Sequence, residues 1–173
     1  MTAAPARAEG ESETVIRINQ LLQTLEDEID KHYDAGESDK RDKALVEYCQ
    51  TANEAAQNLN LQEERDQRAA MTMLGNCINV IDKNSNKLNP FSELYYETFN
   101  NMARCCNIQG DIQGSLTFLV KAMSHVRALS KEQEPGSVTI IPELSLNICN
   151  ANIYLKDYPA ALEYAEQAIV SSK

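Results

Sequence analysis

Apolar residues recur at alternating steps of three and four along almost the whole chain. Val15, Ile18, Leu22, Leu25 and Ile29 open the pattern. Leu45, Cys49, Ala52, Ala56 and Leu59 continue it, followed by Ala70, Met73, Cys77 and Val80. Phe91, Tyr95, Phe99, Met102 and Cys106 form a fourth stripe, and Ile112, Leu116, Leu119, Met123 and Val126 a fifth. Ile141, Leu144, Ile148, Ala151 and Leu155 precede a last set, Tyr158, Leu162, Ala165 and Ile169. This spacing gathers each set on one face of a helix of about 3.6 residues per turn. Ser137 to Ile141 is β-like in composition, but the helical period continues out of it, so it reads as a helix start.

The breaks between stripes carry turn chemistry. Asp34-Ala35-Gly36 ends the first helix, with Ser38 or Asp39 expected to cap the second. Asn58-Leu59-Asn60 marks a short turn, and Lys83 to Lys87 a polar loop followed by Asn89-Pro90. Gly110-Asp111 ends one helix and caps the next; Glu134 to Ser137 is a loop; Asp157 caps the last helix ahead of Pro159. The pattern predicts seven helices, near 14–34, 38–58, 61–83, 90–109, 111–131, 139–156 and 158–172, after a disordered tail over 1–13. Short connections imply antiparallel neighbours.

Composition narrows the function classes. The 173 residues carry a net charge of −10, with 43% hydrophobic and 24% charged residues, as in a folded domain. That charge argues against the basic patch a nucleic-acid binder usually needs. No apolar run approaches the ~20 residues that span a bilayer, so membrane insertion is not expected. The start lacks the basic and apolar stretches of a secretory signal, and Thr2 excludes N-myristoylation. The expected location is cytoplasmic.

Catalytic and metal chemistry is missing from the pattern. Cys49, Cys77, Cys105, Cys106 and Cys149 form no C-x-x-C pair, and His32 and His125 stand alone. No zinc cluster, Gly-rich phosphate loop or hydrolase signature is present. The reading is a non-enzyme with no cofactor and no metal.

Two segments align without gaps at an offset of 46 residues. Asn101 to Ile112 matches Asn147 to Tyr158; Ala103 pairs with Cys149, Ser115 with Ala161 and Ala122 with Ala168. Small residues at these points let two helices cross at about 8–10 Å. The segment Asp157 to Ile169 is the strongest instance, and the whole resembles the tetratricopeptide repeat (TPR) family. The resemblance implies an all-α, right-handed solenoid of antiparallel helix pairs with about seven helices. Its parts would be a capping helix at 14–34, a degenerate pair at 38–83, and repeats at 90–131 and 139–172, in a single domain spanning 14–173. The chain departs from the family in its 46-residue period, against about 34. The usual aromatic near the start of the first helix is Phe99 in one copy but Ser145 in the other; Met73-Leu74-Gly75-Asn76 echoes only the family's Leu-Gly pair.

TPR arrays bind peptides or helices in a concave groove lined by the first helix of each pair. The resemblance therefore implies that Asn100, Asn101, Arg104, Asn107, Asn147, Asn150 and Tyr154 face such a groove. Asparagine amides both donate to and accept from a peptide backbone. Asn147 matches one asparagine of the family's two-carboxylate clamp, but Asn100 stands where that clamp has lysine. With the acidic balance, this favours a basic or amphipathic protein or peptide partner over an acidic one.

The last stripe, with Leu162, Ala165 and Ile169, would be partly uncovered, so the expectation is either that the chain is a fragment of a longer array or that these residues form an end-docking surface. Val15 to Ile29 has heptad-like spacing. The alternative function is thus a structural subunit that self-associates through its first or last helix. The long repeat with Leu146 to Cys149 looks like TPR segments of large protist and ciliary scaffold proteins, which would make the cytoplasmic location cytoskeleton-associated.

Overall fold

The computed structural model describes residues 12–60, 64–84, 92–132 and 140–171. These form seven α-helices and, among the described residues, no strand. They are α1 (Glu13–Asp34), α2 (Ser38–Leu59), α3 (Glu64–Asn84), α4 (Ser92–Ile108), α5 (Ile112–Glu132), α6 (Ile140–Tyr154) and α7 (Tyr158–Ser171). The expected features at Asn89-Pro90, at Glu134 to Ser137 and over residues 1–11 lie outside the described residues. The chain divides into two compact units, Met1–Met73 and Leu74–Lys173, with the boundary inside α3.

In the first unit, α1 packs against α2. The Ser12 hydroxyl accepts from the Val15 N–H at 3.3 Å, so Ser12 caps a helix that begins at Glu13. Val15, Leu22, Leu25 and Ile29 are buried, while Leu45, Cys49, Ala52, Ala56 and Leu59 turn inward from α2. The expected cap of α2 is corrected: Glu37, not Ser38 or Asp39, holds the cap position and makes no side-chain cap bond. Its carboxylate instead meets Lys40 Nζ at 2.8 Å and His32 Nδ1 at 2.7 Å. These two contacts, Lys40 first, hold the Glu37 carboxyl below its usual range.

In the second unit, α4 packs against α5, α5 against α6 and α6 against α7. All six small positions of the repeat are buried: Ala103, Ser115 and Ala122 in one copy, Cys149, Ala161 and Ala168 in the other. Each burial removes little side-chain area, so its contribution is close approach of backbones, which lets larger neighbours such as Leu119 and Met123 pack; a fully buried side chain of that size stabilises by about 1.5–3 kcal/mol. Three of the buried polar side chains turn back on their own helix. Asn84 donates to Val80 O and Asn152 to Ile148 O, each at 2.9 Å, and Thr98 donates to Leu94 O at 2.8 Å.

Three interhelix turns share one backbone. The N–H groups of Glu37, Asp111 and Asp157 donate to His32, Cys106 and Asn152 carbonyls, all at 2.9 Å. The residues just before them, Gly36, Gly110 and Lys156, have φ of 69, 77 and 63°. This is the Schellman arrangement, in which a left-handed residue lets orphan carbonyls at a helix end be satisfied. In the two later turns an aspartate then caps the next helix. Asp111 Oδ1 accepts from Gly114 N at 2.8 Å and Asp157 Oδ1 from Ala160 N at 3.2 Å.

Candidate functional site

The outward face of a helix is set by which residues its inward face consumes. On α4, Met102, Ala103, Cys105 and Cys106 are buried, which leaves Arg104, Asn107 and Ile108 exposed and Asn100 half-buried. On α6, Leu144, Ile148, Ala151 and Asn152 are buried, which leaves Leu146, Asn150, Ile153 and Tyr154 exposed and Asn147 half-buried. The two outward faces are in repeat register: Asn100, Arg104, Asn107 and Ile108 fall 46 residues before Leu146, Asn150, Ile153 and Tyr154.

Asn101 departs from the expected groove set. It is 2% exposed, so its amide belongs to the interior of the unit and not to an outward face. Its neighbours on the helix differ: Asn100 is half-buried and Arg104 is exposed. Tyr154 is 75% exposed, with its ring presented to solvent. Arg104 makes no ion pair among the described residues.

The two faces differ in chemistry. That of α4 is polar and carries a cation; that of α6 offers Leu146, Ile153 and Tyr154 around Asn150. Their N-terminal ends are acidic. Burial first, then the carboxylates of Glu143 on α6 and Glu97 on α4, pushes the Tyr96 phenol up, which places all three groups within electrostatic reach. An arrangement of amides, exposed apolar side chains and carboxylates can hold a peptide by backbone hydrogen bonds, side-chain burial and attraction of a basic residue.

A second cluster was not visible in the sequence. Tyr95 Oη donates to Asp82 Oδ1 at 2.5 Å, and its ring stacks on His125 with centroids 4.5 Å apart. Phe99 lies 5.7 Å from His125 and 6.2 Å from Phe118, and Lys121 Nζ sits 5.5 Å from both phenylalanine rings. His125 reads as isolated in the sequence because its ring partners on α4 are 26 to 30 residues away. Burial lowers its pKa, and Asp82 pulls more weakly in the other direction.

All five cysteines are buried, and none is in a disulfide. Cys106 is pushed up to about 11, first by burial and then by Asp111 and Cys105. Among the described residues, no three His, Cys, Asp or Glu side chains gather where they could hold a metal ion. None of the described helices is long and apolar enough to cross a membrane. No family model matches the chain, and no curated protein matches it.

Proposed function

We propose that this chain is a non-catalytic interaction adaptor, a right-handed TPR-like solenoid of antiparallel hairpins that takes a peptide or helix along α4 and α6. Several observations support the solenoid reading. The three small positions are buried in each copy, and the 46-residue self-match carries the same turn in each. The ring pairs run in reversed order, Tyr95 with His125 and Phe99 with Phe118, as antiparallel α4 and α5 require.

The observation that carries the binding reading is the pair of outward faces in repeat register, one polar and one rich in exposed apolar side chains. A core helix would have no use for Leu146, Ile153 and Tyr154 in solvent, whereas a binding face needs such anchors. The carboxylates at the N-terminal ends and the net charge of −10 favour a basic or amphipathic segment. Such an adaptor works in the cytoplasm, without cofactor or metal.

The test is a display of basic, neutral and acidic amphipathic peptides to the intact chain. Basic members should be enriched. Arg104→Glu combined with Asn147→Ala should alter the affinity of the enriched peptides at unchanged helicity. Enrichment of acidic peptides, or affinity indifferent to the double substitution, would remove the groove.

A further inference from the structure

The charged side chains of α4 and α6 are few and ordered. Helix α4 carries Glu93, Glu97 and Arg104, and α6 carries Glu143 alone. Steps of four and seven place Glu93, Glu97 and Arg104 on one stripe with Asn100. Glu143 falls 46 residues after Glu97, at the head of the stripe of Leu146, Asn150 and Ile153. Glu93, Arg104 and Glu143 are exposed and Glu97 is half-buried. The Tyr96 phenol feels both Glu97 and Glu143, so these two carboxylates share one end of the paired stripes. The single cation lies about 10 Å further along, seven residues from Glu97.

Helix dipoles do not account for this order. Their influence fades beyond the terminal turns, yet Glu97 lies past the first turn of α4, and the last turn of α4 holds no basic residue. The apolar anchors keep the same interval. Leu146 is 51% and Ile153 48% exposed, and they too stand seven residues apart. A ligand helix returns a side chain to the same face after seven residues, at the same rise of about 10 Å. An extended chain covers that distance in about three residues, and the odd count turns the second side chain away.

We infer that the α4 and α6 stripes take an amphipathic helix of a partner protein, basic at one end and bearing a carboxylate seven residues from its cations, with an apolar seam between. This rests on the binding reading proposed above and adds the order of charge along the ligand. The ligand's cations meet Glu97 and Glu143, its carboxylate meets Arg104, and its seam covers Leu146 and Ile153. A uniformly basic helix sets a cation against Arg104, and a uniformly acidic one sets a carboxylate against Glu97 and Glu143, so like charges select against both.

The experiment uses the full chain and three labelled, stapled synthetic helices with the same leucine seam and the same pair of lysines at one end. They differ only at the position seven residues from the lysines, which is glutamate, glutamine or lysine. Binding is read by fluorescence anisotropy at about 0.15 M salt, where the screening length of about 8 Å is shorter than the interval between the two ends, so each end acts separately. The glutamate helix should bind about fivefold or more tightly than the lysine helix, with the glutamine helix between them. Arg104→Glu should reverse this order at an unchanged thermal melt, since Arg104 is exposed. Arg104→Gln, which should erase the order, serves if the glutamate unfolds the chain. Glu97→Gln with Glu143→Gln should weaken all three helices alike. Equal binding of the three, an order that survives the Arg104 substitutions, or indifference to the two glutamine substitutions overturns the charge order and leaves the binding face standing. No binding by any of the three removes the binding face itself, and the inference with it.

Discussion

Gly110 and Lys156 occupy the same point of the same turn. They lie 46 residues apart, and their φ angles are 77 and 63°. Each N–H bonds the carbonyl three residues back, Asn107 and Ile153, at 3.1 and 3.0 Å. Glycine adopts this left-handed conformation without penalty, whereas a side chain there costs about 1–2 kcal/mol.

Lys156→Gly should therefore raise stability by about 1 kcal/mol, and Gly110→Ala should lower it by a similar amount. Urea titrations followed by circular dichroism measure both. A Lys156→Gly midpoint at or below that of the unaltered chain would contradict the strain assigned to this turn.

Ser115 and Ala161 hold equivalent contact points, yet the Ser115 hydroxyl is buried without a hydrogen-bond partner among the described residues. Replacing it with the residue its own repeat uses removes an unsatisfied group whose burial costs about 1–3 kcal/mol. Ser115→Ala should thus hold or raise the melting temperature. Ala161→Leu, which forces a large side chain into the matching contact, should destabilise by about 1–3 kcal/mol or more.

His125 makes stability depend on pH in a fixed direction. Burial sets its native pKa below the ordinary 6.5, so the unfolded chain takes up a proton first as pH falls. The stability it contributes is intact above pH 6.5, declines between that value and the native pKa, and is level below it. The groups facing the ring, Tyr95, Phe99 and the Asp82 carboxylate, do not reverse this sign. Urea midpoints at pH 7.5 and 5.5 should differ less for His125→Phe than for the unaltered chain.

The cysteines should be inert in the folded state. All five are buried, and Cys106, pushed up to about 11, stays a thiol at neutral pH and does not supply the thiolate that a redox switch needs. A chromogenic disulfide reagent should react slowly with the native chain and rapidly with all five in denaturant. Fast native labelling at Cys105 or Cys106 would refute this.

Helix number and the inward stripes were legible from residue order because period and chirality are local: a side chain's face depends only on its distance along its own helix. Leu45, Cys49, Ala52 and Ala56 are buried where the spacing put them, and Gly110-Asp111 turns and caps as glycine and aspartate do. The turn at Gly36 does not read as a copy of the later two, because Glu37 replaces the capping aspartate and the likeness lies in backbone angles. Lys156 shows the same limit, since nothing in its identity announces a left-handed residue. Only packing decided that Asn101 is interior while Asn100 and Arg104 face outward, that His125 stacks on Tyr95, and that Ile169 is exposed whereas its counterpart Met123 is buried. These depend on which surfaces of separate helices meet. That is fixed by side-chain shape and burial across long stretches of chain, and a one-dimensional period does not encode it.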